Sequence, residues 1–80
     1  MAVRKHSITI AGHRTSFSIE PPFLDCLRHL AERSGLSLAS LIAEVDRRKP
    51  RDSNLSSALR VHVLYEALAG RLSAKPTDRT

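Results

Sequence analysis

Cysteine occurs once in this 80-residue chain, at Cys26, so no intrachain disulfide holds the fold together. A single cysteine fits a reducing compartment. Cys26 also falls on an expected apolar helix face, where a thiol acts as a small hydrophobe rather than as a reactive group in electropositive surroundings. Glycine is scarce too. Three scattered glycines, at positions 12, 35 and 70, cannot build a phosphate-cradling loop. Long apolar runs are missing. The first apolar patch, Ile8 to Ala11, is interrupted by Thr9, so neither a signal peptide nor a membrane span is expected. A soluble cytoplasmic protein with no membrane association follows as the expectation.

Catalytic constellations are equally thin. The four histidines, His6, His13, His29 and His62, show no ligand spacing on one helix face. His29 falls on a polar face, and His62 suits a hydrogen-bonded interface position. His6 and His13 could meet across a hairpin, but a metal site is not expected there. Glu44 and Asp46 project from different sides of one helix, and Glu32 is remote from both. No catalytic residue, metal or cofactor is therefore assigned, and an enzyme is not expected.

Positive charge is present in excess. Thirteen Lys and Arg stand against eight Asp and Glu, a net charge of +5, with a sequence pI near 10.4. This balance favours a polyanionic partner, above all nucleic acid. Eighty residues make a single domain at most. A chain of that size buries a modest share of its surface, so a core closed by one copy alone is expected to be marginal.

Taken in order, residues 1–6 form a basic arm with Arg4, Lys5 and His6. Ser7 to Ile10 alternates polar and apolar, the period of a half-buried strand. Gly12 permits a reversal, and Arg14 to Ile19 alternates again. Two arrangements remain open: a hairpin, or one long strand kinked by a bulge at Gly12. In the second run Thr15, Phe17 and Ile19 share one face, while Arg14, Ser16 and Ser18 share the other.

Pro21 and Pro22 then suit the first turn of a helix over 21–34. Phe23, Cys26, Leu27, Leu30 and Ala31 make its apolar stripe, and Gly35 suits the left-handed residue that closes it. A second helix over 37–48 is capped by Ser37, with Leu38, Leu41, Ile42 and Val45 facing inward. Pro50 breaks the connector, and a third helix over 55–69 follows from a cap at Ser53 or Asn54. Leu55, Leu59 and Val63 lie on one side of this helix. Val61, Leu64, Tyr65 and Leu68 lie on the other. A helix apolar nearly all round needs cover on more than one side, which implies a partner chain. The single domain thus spans residues 7–69, followed by a flexible tail over 70–80. The sequence reads without an internal repeat.

A β-ribbon fits the major groove of B-form DNA, where Arg pairs bidentately with guanine and Ser reaches several bases. Arg14, Ser16 and Ser18 suit that role. The amides at the start of the second helix, at Ser37 to Ala39, suit a backbone phosphate, with Arg4, Lys5 and His6 as further phosphate contacts. A solvated strand face explains the same three residues without DNA, and the residues alone leave both readings open. One strand presents one row and an unpaired edge, so a second copy is expected to complete the ribbon.

The stretch RTSFSIEPPFLDCLRHLAERSGLSLASLIAEV, residues 14–45, resembles the ribbon-helix-helix DNA-binding proteins of the Arc and MetJ repressor type. With KHSITIAGHRTSFSIE before it and NLSSALRVHVLYEAL behind, the chain is similar over residues 5–68 to a bacterial subgroup found in α-proteobacteria and their phages. The resemblance implies a mainly α fold with a short N-terminal β element: an intertwined homodimer with an extra N-terminal strand and an extra C-terminal helix. It implies base reading by Arg14, Ser16 and Ser18 and phosphate binding at Ser37 and Leu38. The core between the two copies would hold Phe17, Ile19, Leu27, Leu30, Leu41, Ile42 and Val45. The partners implied are double-stranded DNA, a second copy, higher assemblies on DNA, and a protein held by the third helix. A transcriptional repressor, nucleoid-associated when bound, is the expected role. An antitoxin-like or adaptor dimer is the alternative. If the Ser7–Ile10 strand is the ribbon instead, Lys5, Ser7 and Thr9 face outward.

Overall fold

The computed structural model describes residues 2–72. The expected tail over 70–80 lies mostly outside them. Two strands come first, β1 (Arg4–Ile10) and β2 (His13–Ile19), followed by three helices, α1 (Pro21–Ser34), α2 (Leu38–Arg48) and α3 (Leu55–Leu68). The fold is mainly helical, with an N-terminal β-hairpin and an added third helix.

The hairpin settles the choice left open by the sequence. Ala11 and Gly12 both take positive φ, 51° and 83°, the backbone of a two-residue type I′ turn whose twist matches the flanking strands. The strands pair antiparallel from Ile10↔His13 at the turn to Arg4↔Ile19 at the open end. The expected basic arm is thereby corrected. Arg4, Lys5 and His6 belong to β1, because the ladder runs on until it meets the last residue of β2. A charged stretch without alternation carries no strand signal of its own and pairs because β2 is there to receive it.

Helix α1 begins on two prolines behind Glu20, and its last turn closes on Gly35 at φ 70°. The Leu36 amide then bonds back to the Ala31 carbonyl at 2.9 Å, a Schellman-type end that needs a left-handed residue. Ser37 caps α2 by accepting from the Ser40 amide, and Asn54 caps α3 by accepting from the Ser57 amide. Each such cap contributes about 1 kcal/mol.

One core joins all five elements. Ile19, Leu27, Ile42 and Leu59 are its largest fully enclosed side chains, each worth about 1.5–3 kcal/mol in burial. Leu24, absent from the expected α1 stripe, is buried as well, whereas Phe23 and Cys26 are only partly covered. Burial and the neighbouring Asp25 carboxylate push the Cys26 thiol above its ordinary pKa, so the reactive thiolate is disfavoured. The residues expected between two copies, Phe17, Ile19, Leu27, Leu30, Leu41, Ile42 and Val45, are all buried within a single chain. Helix α3 contributes Leu55, Leu59 and Val63 to the same core. It supplies material that the two shorter helices lack.

Candidate nucleic-acid interface

The register divides the hairpin into two faces. Arg4, His6, Ile8 and Ile10 pair with Ile19, Phe17, Thr15 and His13, which sets the apolar members toward the helices. The His6 ring stacks on Phe17 at 5.4 Å. His6 and His13 do not meet, since His6 faces Phe17, four positions along β2 from His13. The opposite face carries Lys5↔Ser18, Ser7↔Ser16 and Thr9↔Arg14. These are all polar side chains, and all but Ser18 are exposed. The Ser7 and Ser16 hydroxyl oxygens stand 3.4 Å apart across the middle of the ribbon.

Arg14, Ser16 and Ser18 thus share the outward face, and Lys5 joins them. Arg4 does not. It stands on the core side, against Leu24, Asp25 and Arg28 near the start of α1, because alternation sends Arg4 and Lys5 to opposite faces. Two of the expected phosphate contacts, Arg4 and Lys5, therefore project from opposite faces of β1. Ser7 and Thr9 complete the outward face. The signal for them was the pairing itself, since either strand alone shows three of the six residues.

The electrostatics of this face are one-sided. The first acidic residue of the chain is Glu20, so the whole hairpin lacks a carboxylate. Five cations elsewhere are engaged. Arg47 and Arg48 pair with Glu44, Lys49 with Asp46, and Arg71 with Glu66. Arg60 Nε stands 2.9 Å from Glu20 Oε1 at the strand–helix junction. The guanidinium holds the Glu20 carboxyl below its ordinary pKa, chiefly through the hydrogen bond. Arg60 also lies over the Phe23 ring, 5.9 Å from its centroid. Lys5 and Arg14, like Arg4, Arg28, Arg33 and Arg51, enter no ion pair among the described residues, and their charge projects from an acid-free sheet.

Ser37 serves as the cap of α2, and its hydroxyl donates to the Ser40 hydroxyl at 2.9 Å. The following residues, Leu38 and Ala39, present first-turn amides that no helical carbonyl can reach. Ser37 is exposed and Leu38 half-buried.

A second feature lies on α3. Val61, Leu64, Tyr65 and Leu68 are 45%, 52%, 64% and 74% exposed. They fall at i, i+3, i+4 and i+7, one continuous helix face. Beside it runs an apolar groove between the end of α2 and α3, lined by Val45, Pro50, Ala58, Val61, His62 and Tyr65. Exposed apolar surface that is contiguous, rather than scattered, marks a contact site. His62 borders the groove, and its burial lowers its pKa. None of the described helices is long and apolar enough to cross a membrane.

Comparison with known proteins agrees with this geometry. No curated protein and no solved structure matches the chain. A family profile described as the ribbon-helix-helix domain matches residues 3–67, which takes in both strands and nearly all of the three helices. Domains of this kind are typically non-catalytic DNA-binding modules, and their architecture implies a dimer that meets DNA through a β-ribbon. By that match over most of its length, the chain belongs to the ribbon-helix-helix domain family.

Proposed function

We propose that the chain is a double-stranded DNA-binding transcriptional regulator, a repressor, that acts as a homodimer and lays its ribbon in the major groove. The observation that carries this reading is the outward hairpin face: polar, exposed, free of carboxylates, and opposite the core. Arg14 pairs bidentately with guanine, and Ser16 and Ser18 reach neighbouring base edges. Lys5 and the α2 amides at Ser37 and Leu38 hold backbone phosphates. The second copy covers the apolar stripe of α3. That stripe carries no charge to repel an identical surface, and the helix's own charges, Arg60 and Glu66, are engaged within the chain.

Titration of labelled promoter DNA at several salt concentrations tests the reading. Affinity should fall linearly on a log–log scale with salt as counterions are released. Arg14→Ala should weaken binding by about 1–3 kcal/mol. Equal binding by wild type and variant, or an absence of salt dependence, would sink it.

The α3 stripe also favours a second reading, an antitoxin-like or adaptor module whose helix holds a different protein. Sedimentation of the purified chain separates the two. A dimer that Leu64→Glu dissociates assigns the stripe to a second copy, whereas a monomer leaves it to another partner.

A further inference from the structure

The groove between the end of α2 and α3 has the build of a small-molecule site. Ala58, Val61, His62 and Tyr65 fall at i, i+3, i+4 and i+7, a face of α3 distinct from the one that Leu55, Leu59 and Val63 bury. Helix α2 supplies Val45 and the connector supplies Pro50, so three segments converge on one apolar trough. Its volume is about 380 Å³. Small-molecule sites typically hold about 300–1,000 Å³, and in bundles they form between helices. The trough lies on the α2 side of the exposed α3 stripe and shares only Val61 and Tyr65 with it.

The charged groups at its edge have one sign. Arg48 and Lys49 line it from the end of α2, and no carboxylate does. Both cations keep donors to spare among the described residues. Arg48 meets Glu44 through Nε alone, at 3.1 Å. Lys49 Nζ stands 3.8 Å from the Asp46 carboxylate, beyond hydrogen-bond distance. The Lys49 side chain is only 17% exposed, so its methylene stem adds to the apolar wall. Burial chiefly holds His62 below its ordinary pKa, against the Glu66 carboxylate and with Arg48 and Arg71 acting in the same direction as burial. At neutral pH the imidazole is therefore an uncharged hydrogen-bonding group beside two cations.

We propose that this groove binds a small amphiphile, an apolar body with a single anionic head, of the class of a fatty or aromatic carboxylate. The body lies among Val45, Ala58, Val61 and the Tyr65 ring, and the carboxylate accepts from Arg48 and Lys49. A cationic amphiphile meets like charge at the rim, and a small anion without an apolar body leaves the trough wet. A second copy laid on the stripe brings no free carboxylate, since Glu66, the only acid of α3, is bonded to Arg71. The site stands apart from the hairpin and does not rest on the DNA-binding reading.

The test uses the full chain. Tyr65 is its only tyrosine and tryptophan is absent, so intrinsic fluorescence reads the groove directly. The protein is titrated with decanoate, decanol and decyltrimethylammonium, each below its micelle concentration. Decanoate should change the Tyr65 emission saturably and bind about tenfold more tightly than decanol. Arg48→Gln with Lys49→Gln should abolish that preference and leave decanol binding unchanged, with circular dichroism showing that the helices persist. Val61→Glu, at an exposed position, should weaken decanoate more than decanol. Equal binding of the three amphiphiles, a preference that survives the double substitution, or an emission change that never saturates would overturn the site.

Discussion

The Ser18 amide and the Ser56 hydroxyl meet at 3.0 Å, joining the outer edge of β2 to the first turn of α3. The contact spans 38 positions of sequence and is partly buried. Ser56→Ala removes the acceptor and leaves the amide without a partner. A loss of about 1 kcal/mol in unfolding free energy is expected. Urea denaturation reads it, and the Ser18 amide should exchange its hydrogen faster. An unchanged midpoint with unchanged protection would count against a stabilising role.

Glu20 and Arg60 make a second tie between the hairpin end and α3. Because the folded-state pKa of Glu20 is lowered, its contribution is present at neutral pH and is lost as pH falls through that lowered value, beneath the ordinary 4.5. Wild type should therefore melt above Glu20→Gln at neutral pH, and the two should converge in strong acid. Thermal unfolding across that range decides it. A gap that widens on acidification would contradict the sign.

The turn offers a gain in stability. Ala11 sits at φ 51°, a region that costs a residue with a Cβ about 1–2 kcal/mol. Asparagine visits this region readily, and Asn-Gly is the favoured pair for this turn. Ala11→Asn should raise the melting temperature and leave DNA affinity unchanged. A lower melting temperature would show that the turn is held by something other than its own backbone preference.

His6 offers another. Its Nε2 is buried without a hydrogen-bond partner while the ring stacks on Phe17. His6→Phe keeps an aromatic ring against Phe17 and removes the unpaired nitrogen, with an expected gain of about 1 kcal/mol. Calorimetry of the two proteins provides the comparison. Destabilisation would mean that the imidazole makes a polar contact the ring cannot replace.

Much of this fold was legible because its punctuation is local. Two prolines and Gly35 bracket α1, and Ser37 and Asn54 mark helix starts by residue type alone. The 3.6-residue period placed Leu27, Leu30, Leu41, Ile42 and Val45 inward. What could not be read were relationships across the chain. Arg4 to His6 show no strand pattern by themselves, and only pairing with β2 makes them strand. Leu24 sits beside the expected α1 stripe and is buried because the hairpin and helices close over a wider arc than that stripe. The Ser18–Ser56 and Glu20–Arg60 contacts join residues 38 and 40 positions apart, a separation that no local pattern reports. On the outward face, Arg14, Ser16 and Ser18 were visible as one alternating row. That they share a surface with Lys5, Ser7 and Thr9 depends on the register.

The unlike rows of the hairpin carry an evolutionary consequence. Lys5 and Arg14 stand on different strands and are separate codons in one gene. Each row is free to drift alone, so a substitution in one strand leaves its counterpart in the other unchanged.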